Sequence, residues 1–139
     1  MIWHRIVPVE FNHCDPAGIV FYPRYFEMTN SVVENFFGDA LNYSYRRMIM
    51  DEHCGTPTVH LDANFRAPSR LGDRLDFSVE VRRVGRTSVN LWLEAHGEDG
   101  QLRITAALTL VWVNSDLTPL PWPDVLRDGL TACQEGRLP

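Results

Sequence analysis

Residues 13–27 read HCDPAGIVFYPRYFE and put a carboxylate, Asp15, in a Pro-Ala-Gly turn just ahead of an apolar helix. The start of a helix offers unpaired backbone N–H groups and a partial positive charge. Such an end can polarise a carbonyl and stabilise an oxyanion. Pro23 lacks an N–H, so the N–H of Tyr22 is the donor the sequence points to. Gly18 lets the chain bend sharply and lets a ligand approach the backbone. A carboxylate a few residues upstream can attack the same carbonyl or take a proton from water. The competing reading is that Asp15 only opens a turn, as Asp-Pro often does. Local sequence leaves both open.

Other chemistries find little support. The chain has no G-x-G-x-x-G, Walker A loop, G-x-S-x-G elbow or H-E-x-x-H. The cysteines, Cys14, Cys54 and Cys133, are odd in number and show no short paired spacing, which argues against a disulfide framework or a metal site. The His13-Cys14 and His53-Cys54 dipeptides each offer at most one easy ligand from an extended strand. Cys14 lies between His13 and Asp15, but adjacency in sequence does not give a thiolate–imidazole contact.

The elements that must position Asp15 are legible from periodicity. Trp3, Val7, Val9 and Phe11 alternate as a first strand, which Pro8 confines to an edge or a bulge. Pro23 suits the first position of a helix on which Tyr22, Phe26, Thr29, Val33 and Phe36 draw one face, with Gly38 as its stop. A shorter, more polar helix is predicted over 43–52. The period then becomes two. Val59, Leu61, Ala63 and Phe65 alternate with polar residues, as do Leu75 to Val81, and the same spacing recurs over Val89 to Ala95 and Leu102 to Trp112. Gly85 and the stretch 97–100 mark hairpin turns. Strand, helix and four further strands imply an α+β fold, an antiparallel sheet with one face covered by the long helix. The proline-rich tail from 115 to 139 carries a short helix starting near Pro123.

The 139 residues fit a single domain, 1–139, with a core over about 3–114. The formal net charge of −5 argues against a nucleic-acid partner. No apolar run approaches the roughly 18 residues that span a bilayer. The N-terminal stretch lacks a signal-peptide core, so a cytoplasmic protein is expected.

The stretch D-P-A-G-I-V-F-Y-P-R-Y-F resembles the signature of the 4-hydroxybenzoyl-CoA thioesterase family, in the subfamily with an aspartate in that turn. The G-T-P at 55–57, N-F-R-A-P at 64–68 and Gly72-Asp73 follow in the family's order, so the resemblance covers roughly residues 5–113. It implies a hotdog fold, a five-stranded antiparallel sheet wrapped around one long central helix. It implies that Asp15 is nucleophile or general base and that the Tyr22 N–H is the oxyanion donor. It implies an acyl-CoA substrate, with coenzyme A part of the substrate rather than a cofactor, and no metal. It also implies self-association as a dimer or tetramer with the active site at the dimer interface.

The phosphates of coenzyme A need cations. Arg82, Arg83 and Arg86 resemble the family's basic segment, though Val84 and Gly85 interrupt the run, and Arg66 and Arg70 are further candidates. His13 stands where a small or acidic residue is expected and could tune Asp15; Glu27 could bond substrate or water. Phe21, Tyr22, Phe65 and Trp92 are candidates to line an acyl pocket.

An aromatic acyl group is the expectation, with a short-chain aliphatic acyl-CoA as the alternative. Relatives of the latter kind carry histidine where this chain has Pro23. A hotdog hydratase is disfavoured, because no aspartate has a histidine five residues on. A non-catalytic acyl-CoA-binding module would keep the fold and the arginines without needing Asp15.

Overall fold

The computed structural model describes residues 2–137. Five strands form one antiparallel sheet in the order β1-β3-β4-β5-β2: β1 Trp3–Pro8, β2 Thr58–Phe65, β3 Arg74–Val84, β4 Ser88–His96 and β5 Leu102–Val111. Helix α1, Arg24–Asn35, lies against the sheet, and helix α2, Asp124–Gln134, packs on β3.

Alternation builds the core. Leu75, Phe77, Val79 and Val81 of β3 face inward with Val89, Leu91, Leu93 and Ala95 of β4 and Ile104, Ala106, Leu108 and Leu110 of β5. They meet Tyr25, Met28, Val32 and Val33 of α1, followed by Phe36 and Phe37. Removing a buried aromatic such as Phe77 from this layer costs about 3–5 kcal/mol. The hairpins at Gly85 and 97–100 fall where the glycines place them.

Several details differ from the sequence expectation. The α-helix begins at Arg24, and Pro23 is its cap, with helical φ and ψ already in place. Gly38 is not a stop: the chain continues through a π-helical turn, Phe36–Ala40, and a positive φ arrives only at Asn42. The second helix is a short one containing a π-helical turn, Arg47–Asp51, with the Ser44 hydroxyl accepting from the Arg47 N–H. β1 ends at Pro8; the Val9 N–H still donates to the Asp73 carbonyl, and beyond it the chain turns into the 3-10 segment Phe11–His13. Phe11 is consequently 83 % exposed rather than part of a strand face. β2 is the other edge of the sheet, and its apolar residues Val59, Leu61 and Phe65 are exposed. The residues from 115 onward are more than a tail: Trp122, Leu126, Leu130 and Cys133 join the core. The Trp122 indole donates to the Ser88 carbonyl.

Candidate active site

Asp15 sits in a small hairpin of its own. Cys14 bridges to Val20, the Asp15 N–H donates to the Ile19 carbonyl at 3.0 Å, and the Gly18 N–H donates to the Asp15 carbonyl at 2.9 Å. Gly18 has φ +78°, a left-handed conformation that a side chain would strain. One carboxylate oxygen of Asp15 accepts the Ala17 N–H at 2.9 Å. The other oxygen has no partner among the described residues.

The hairpin runs straight into α1. The Phe21 N–H donates back to the His13 carbonyl, and the Arg24 N–H to the Phe21 carbonyl. The Tyr22 N–H between them is engaged by no described residue, which leaves a donor at the mouth of the helix beside a carboxylate turn. His13 does not reach Asp15 through a hydrogen bond. Its Nδ1 accepts the Glu10 N–H at 2.9 Å and closes the 3-10 turn. Glu27 pairs with Arg24 at 2.7 Å on the exposed side of α1.

The segment 66–73 holds the hairpin from the other side. The Val20 N–H donates to the Ser69 carbonyl, Ile19 bridges to Arg70, and the Leu71 N–H donates to the Gly18 carbonyl. Ser69 is fully buried, and its hydroxyl accepts from the Tyr25 phenol of α1 at 3.0 Å and from Arg103 at 3.3 Å. Burial pushes the Tyr25 phenol up, against the hydrogen bond with Ser69. Arg103 also donates to Asp73 at 2.8 Å and Asp99 at 3.1 Å. Burial works against its charge, yet these carboxylates hold the guanidinium above its ordinary pKa.

Of the cavities near these elements, two bear on the site. The larger, about 460 Å³, lies between α1, the start of β2 and the end of β5. Its walls are mostly apolar, with Phe26, Val33, Met48, Ile49, Leu61 and Leu108. Asn30 and the pair formed by the Thr56 hydroxyl donating to the Tyr45 phenol at 3.2 Å supply polar points. Burial pushes the Tyr45 phenol up. Tyr43, Arg47 and Glu52 brace this wall: Arg47 lies over the Tyr43 ring at 4.0 Å and bonds Glu52, which also accepts from the Tyr43 hydroxyl. Burial, helped by that bond, pushes the Tyr43 phenol up to about 12. A smaller cavity of about 310 Å³ has Tyr22, Tyr25, Phe65 and Arg66 on its walls. Asp15 lines neither cavity. Of the aromatic candidates, Trp92 faces away from both, its indole donating to Glu94 and its ring covered by Arg82.

The structure separates the candidate phosphate-binding arginines. Arg83 and Arg86 are exposed at the β3–β4 hairpin, whose carbonyls at Gly85 and Arg86 are tied to Arg127 of α2. Arg82 stacks on Trp92 at 4.5 Å and lies 3.4 Å from Glu80. Arg66 and Arg70 lie beyond β2, beside the Asp15 hairpin, where Phe65 pairs with Ile104. The β3–β4 hairpin adjoins the other end of the sheet, where Ser88 pairs with Val111. One chain therefore carries Asp15 and Arg66 at one end of its sheet and Arg82, Arg83 and Arg86 at the other.

Ser69, Tyr25 and Arg103 were missed by sequence reasoning. An arginine following Leu102 on an alternating strand reads as an outward, solvated residue, and Ser69 carries no local signal beyond its place between Pro68 and Arg70.

A five-stranded antiparallel sheet closed over a central helix, with a carboxylate turn at the helix entrance, is the hotdog arrangement. The sequence pattern of the thioesterase-like superfamily matches residues 9–130. The chain belongs to that superfamily and is a thioester hydrolase. A 4-hydroxybenzoyl-CoA thioesterase from Pseudomonas sp. (strain CBS-3) is 27% identical over 133 residues, covering 90% of this chain and 92% of its own. A solved gentisyl-coenzyme A thioesterase is 26% identical with a TM-score of 0.79, covering 91% of this chain and 99% of its own. A mutant of 4-hydroxybenzoyl-CoA thioesterase, with asparagine in place of an aspartate and solved with 4-hydroxybenzoyl-CoA, superposes with a TM-score of 0.83 at 24% identity, covering 95% and 98% of the two chains. Among the described residues no helix is long and apolar enough to cross a membrane.

Proposed function

We propose that the chain hydrolyses an aromatic acyl-CoA to the free acid and coenzyme A, using Asp15. The observation that carries this is the pairing of a fixed carboxylate turn with the unengaged Tyr22 N–H at the entrance of α1. The thioester oxygen accepts from that N–H as charge develops on it. Asp15 then acts in one of two ways. It attacks the carbonyl carbon, the C–S bond breaks to release the thiolate, and water cleaves the resulting mixed anhydride. Alternatively it takes a proton from water, which attacks directly. Both routes consume one water and leave a carboxylic acid and a thiol.

The aromatic preference rests on the two relatives named for aromatic acyl-CoA substrates and on a cavity of about 460 Å³ with apolar walls and a few polar points. A second copy completes the site in this reading. β2 is an open edge bearing Val59, Leu61 and Phe65, and antiparallel pairing of two such edges sets the Phe65 end of one copy against the Thr58 end of the other. Asp15 of one copy then faces the cavity of the other, and the other's Arg83 and Arg86 come to the same end of the joined sheet. These arginines take the nucleotide phosphates, with Gly18 and Arg66 near the acyl end.

The test is release of free thiol from a panel of aromatic and aliphatic acyl-CoAs, with Asp15→Asn alongside. Turnover of benzoyl-type substrates that Asp15→Asn lowers by about a hundredfold or more supports the reading. Preference for short aliphatic chains moves the substrate class, and no cleavage by the native chain leaves a binding module.

A further inference from the structure

We infer that Arg103 is a positioning residue for Asp15, acting through Ser69; this rests on Asp15 being the reacting carboxylate. The Arg103 side chain is 8 % exposed at the start of β5. Its guanidinium binds the Asp73 and Asp99 carboxylates, the Pro68 carbonyl and the Ser69 hydroxyl. Its own carbonyl accepts the N–H groups of Arg66 and Ala67. Arg103 therefore grips the segment 66–73 at both ends of its turn. That segment in turn supplies the bonds that dock the Asp15 hairpin: the Ser69 carbonyl to Val20, the Arg70 bridge to Ile19 and the Leu71 N–H to Gly18.

The same serine fixes the other half of the site. Its hydroxyl accepts from Tyr25, in the first turn of α1, so the helix whose entrance presents the Tyr22 N–H is tied to the hairpin that presents Asp15. A charged group at one end of the sheet thus sets the distance between carboxylate and donor without touching substrate. Gly97 makes room for it: a Cβ there would lie 2.2 Å from an Arg103 guanidinium nitrogen. The atoms it would strike, two in the Arg103 guanidinium and one Asp99 carboxylate oxygen, are side-chain ends rather than backbone, so Gly97→Ala shifts Arg103 and its Asp99 partner while keeping both charges. Misplacement of a reacting group by about 1 Å costs on the order of a hundredfold in rate.

The experiment compares Arg103→Lys, Ser69→Ala and Gly97→Ala, each made in the native chain and in Asp15→Asn. The substrate is the acyl-CoA that the native chain cleaves fastest, and rates are read well below each variant's melting temperature. The expected result is a fall in kcat of about tenfold or more with KM within about threefold. In the Asp15→Asn background the same changes should cause no further loss, because there is no carboxylate left to place. Native kcat in the folded variants overturns the inference. So do equal losses in both backgrounds, which mark a general weakening of the fold. Where Arg103→Lys does not fold, Ser69→Ala and Gly97→Ala decide. Native turnover by Asp15→Asn overturns the reading of Asp15 itself, an outcome distinct from an inactive Asp15→Asn accompanied by fully active Arg103 and Ser69 variants.

Discussion

The carboxylate of Asp15 accepts a hydrogen bond from the backbone N–H of Ala17 at 2.9 Å, closing a ring two residues wide that shapes the turn. Asparagine can accept the same bond, whereas alanine cannot. Asp15→Asn is therefore expected to melt close to the native chain while losing kcat by about a hundredfold or more. Asp15→Ala should lose activity equally and also about 1 kcal/mol of stability. Thermal melts beside thiol-release kinetics separate the two, and an Asp15→Asn protein with native kcat removes the carboxylate from the chemistry.

The open edge of β2 should hold the second copy. Val59 is 59 % exposed, and with Leu61 and Phe65 it puts apolar surface on an edge strand that pairs only with β5 among the described residues. Val59→Lys together with Leu61→Glu is expected to convert dimers to monomers in sedimentation velocity, with turnover lost in parallel. A native chain that sediments as a monomer at working concentrations and still turns over contradicts the shared site.

Among the arginines the structure makes unequal promises. Arg83→Gln and Arg86→Gln should each raise KM several-fold, of the order expected for a lost charge-assisted phosphate contact, with kcat held. Arg82→Gln should do less, since its guanidinium is occupied by the Trp92 ring and Glu80. Raising the salt concentration should lift KM in the native chain, and less so in a variant carrying both Arg83→Gln and Arg86→Gln. Equal KM for the native chain and all these variants would assign the phosphates elsewhere.

Acid should loosen the segment behind Asp15. The Arg70 N–H, and next the Arg103 guanidinium, hold the Asp73 carboxyl below the usual range. Its folded pKa lies below its unfolded value of about 3.9, so the stabilisation is complete above that value and disappears as pH falls through the folded one. The melting temperature should drop on acidification below about pH 4. Asp73→Asn should melt lower at neutral pH and show a shallower decline in that window. The decline persists in part, because Glu52 and Asp99 are depressed in the same direction by the Tyr43 hydroxyl and by the Gln101 N–H respectively. An unchanged slope in Asp73→Asn rules the group out.

Much of the fold was legible because β3, β4 and β5 each bury one face, which forces strict alternation. The same alternation in β2 was read correctly as a strand, yet periodicity says which face is apolar and not what covers it. Phe11 continued the pattern of β1, but beyond Val9 the chain turns into the 3-10 segment Phe11–His13. Gly38 failed as a stop because a wider helical turn carries the backbone past it to Asn42. Asp15 announced itself through the neighbouring Pro16, Ala17 and Gly18. Arg103 did not, since its partners Ser69 and Asp73 lie 34 and 30 residues away and no local pattern encodes such a meeting.

The placement of Asp15 and the Arg83–Arg86 hairpin at opposite ends of one sheet also bears on inheritance. In the proposed dimer, where each site is drawn from two chains, a copy spoiled at Asp15 and a copy spoiled at the hairpin are not equivalent failures. Assembled as a mixed pair, they leave one of the two sites whole, so chains that are each impaired with themselves would regain turnover when refolded together. Two harmful alleles could then mask one another in the same cell.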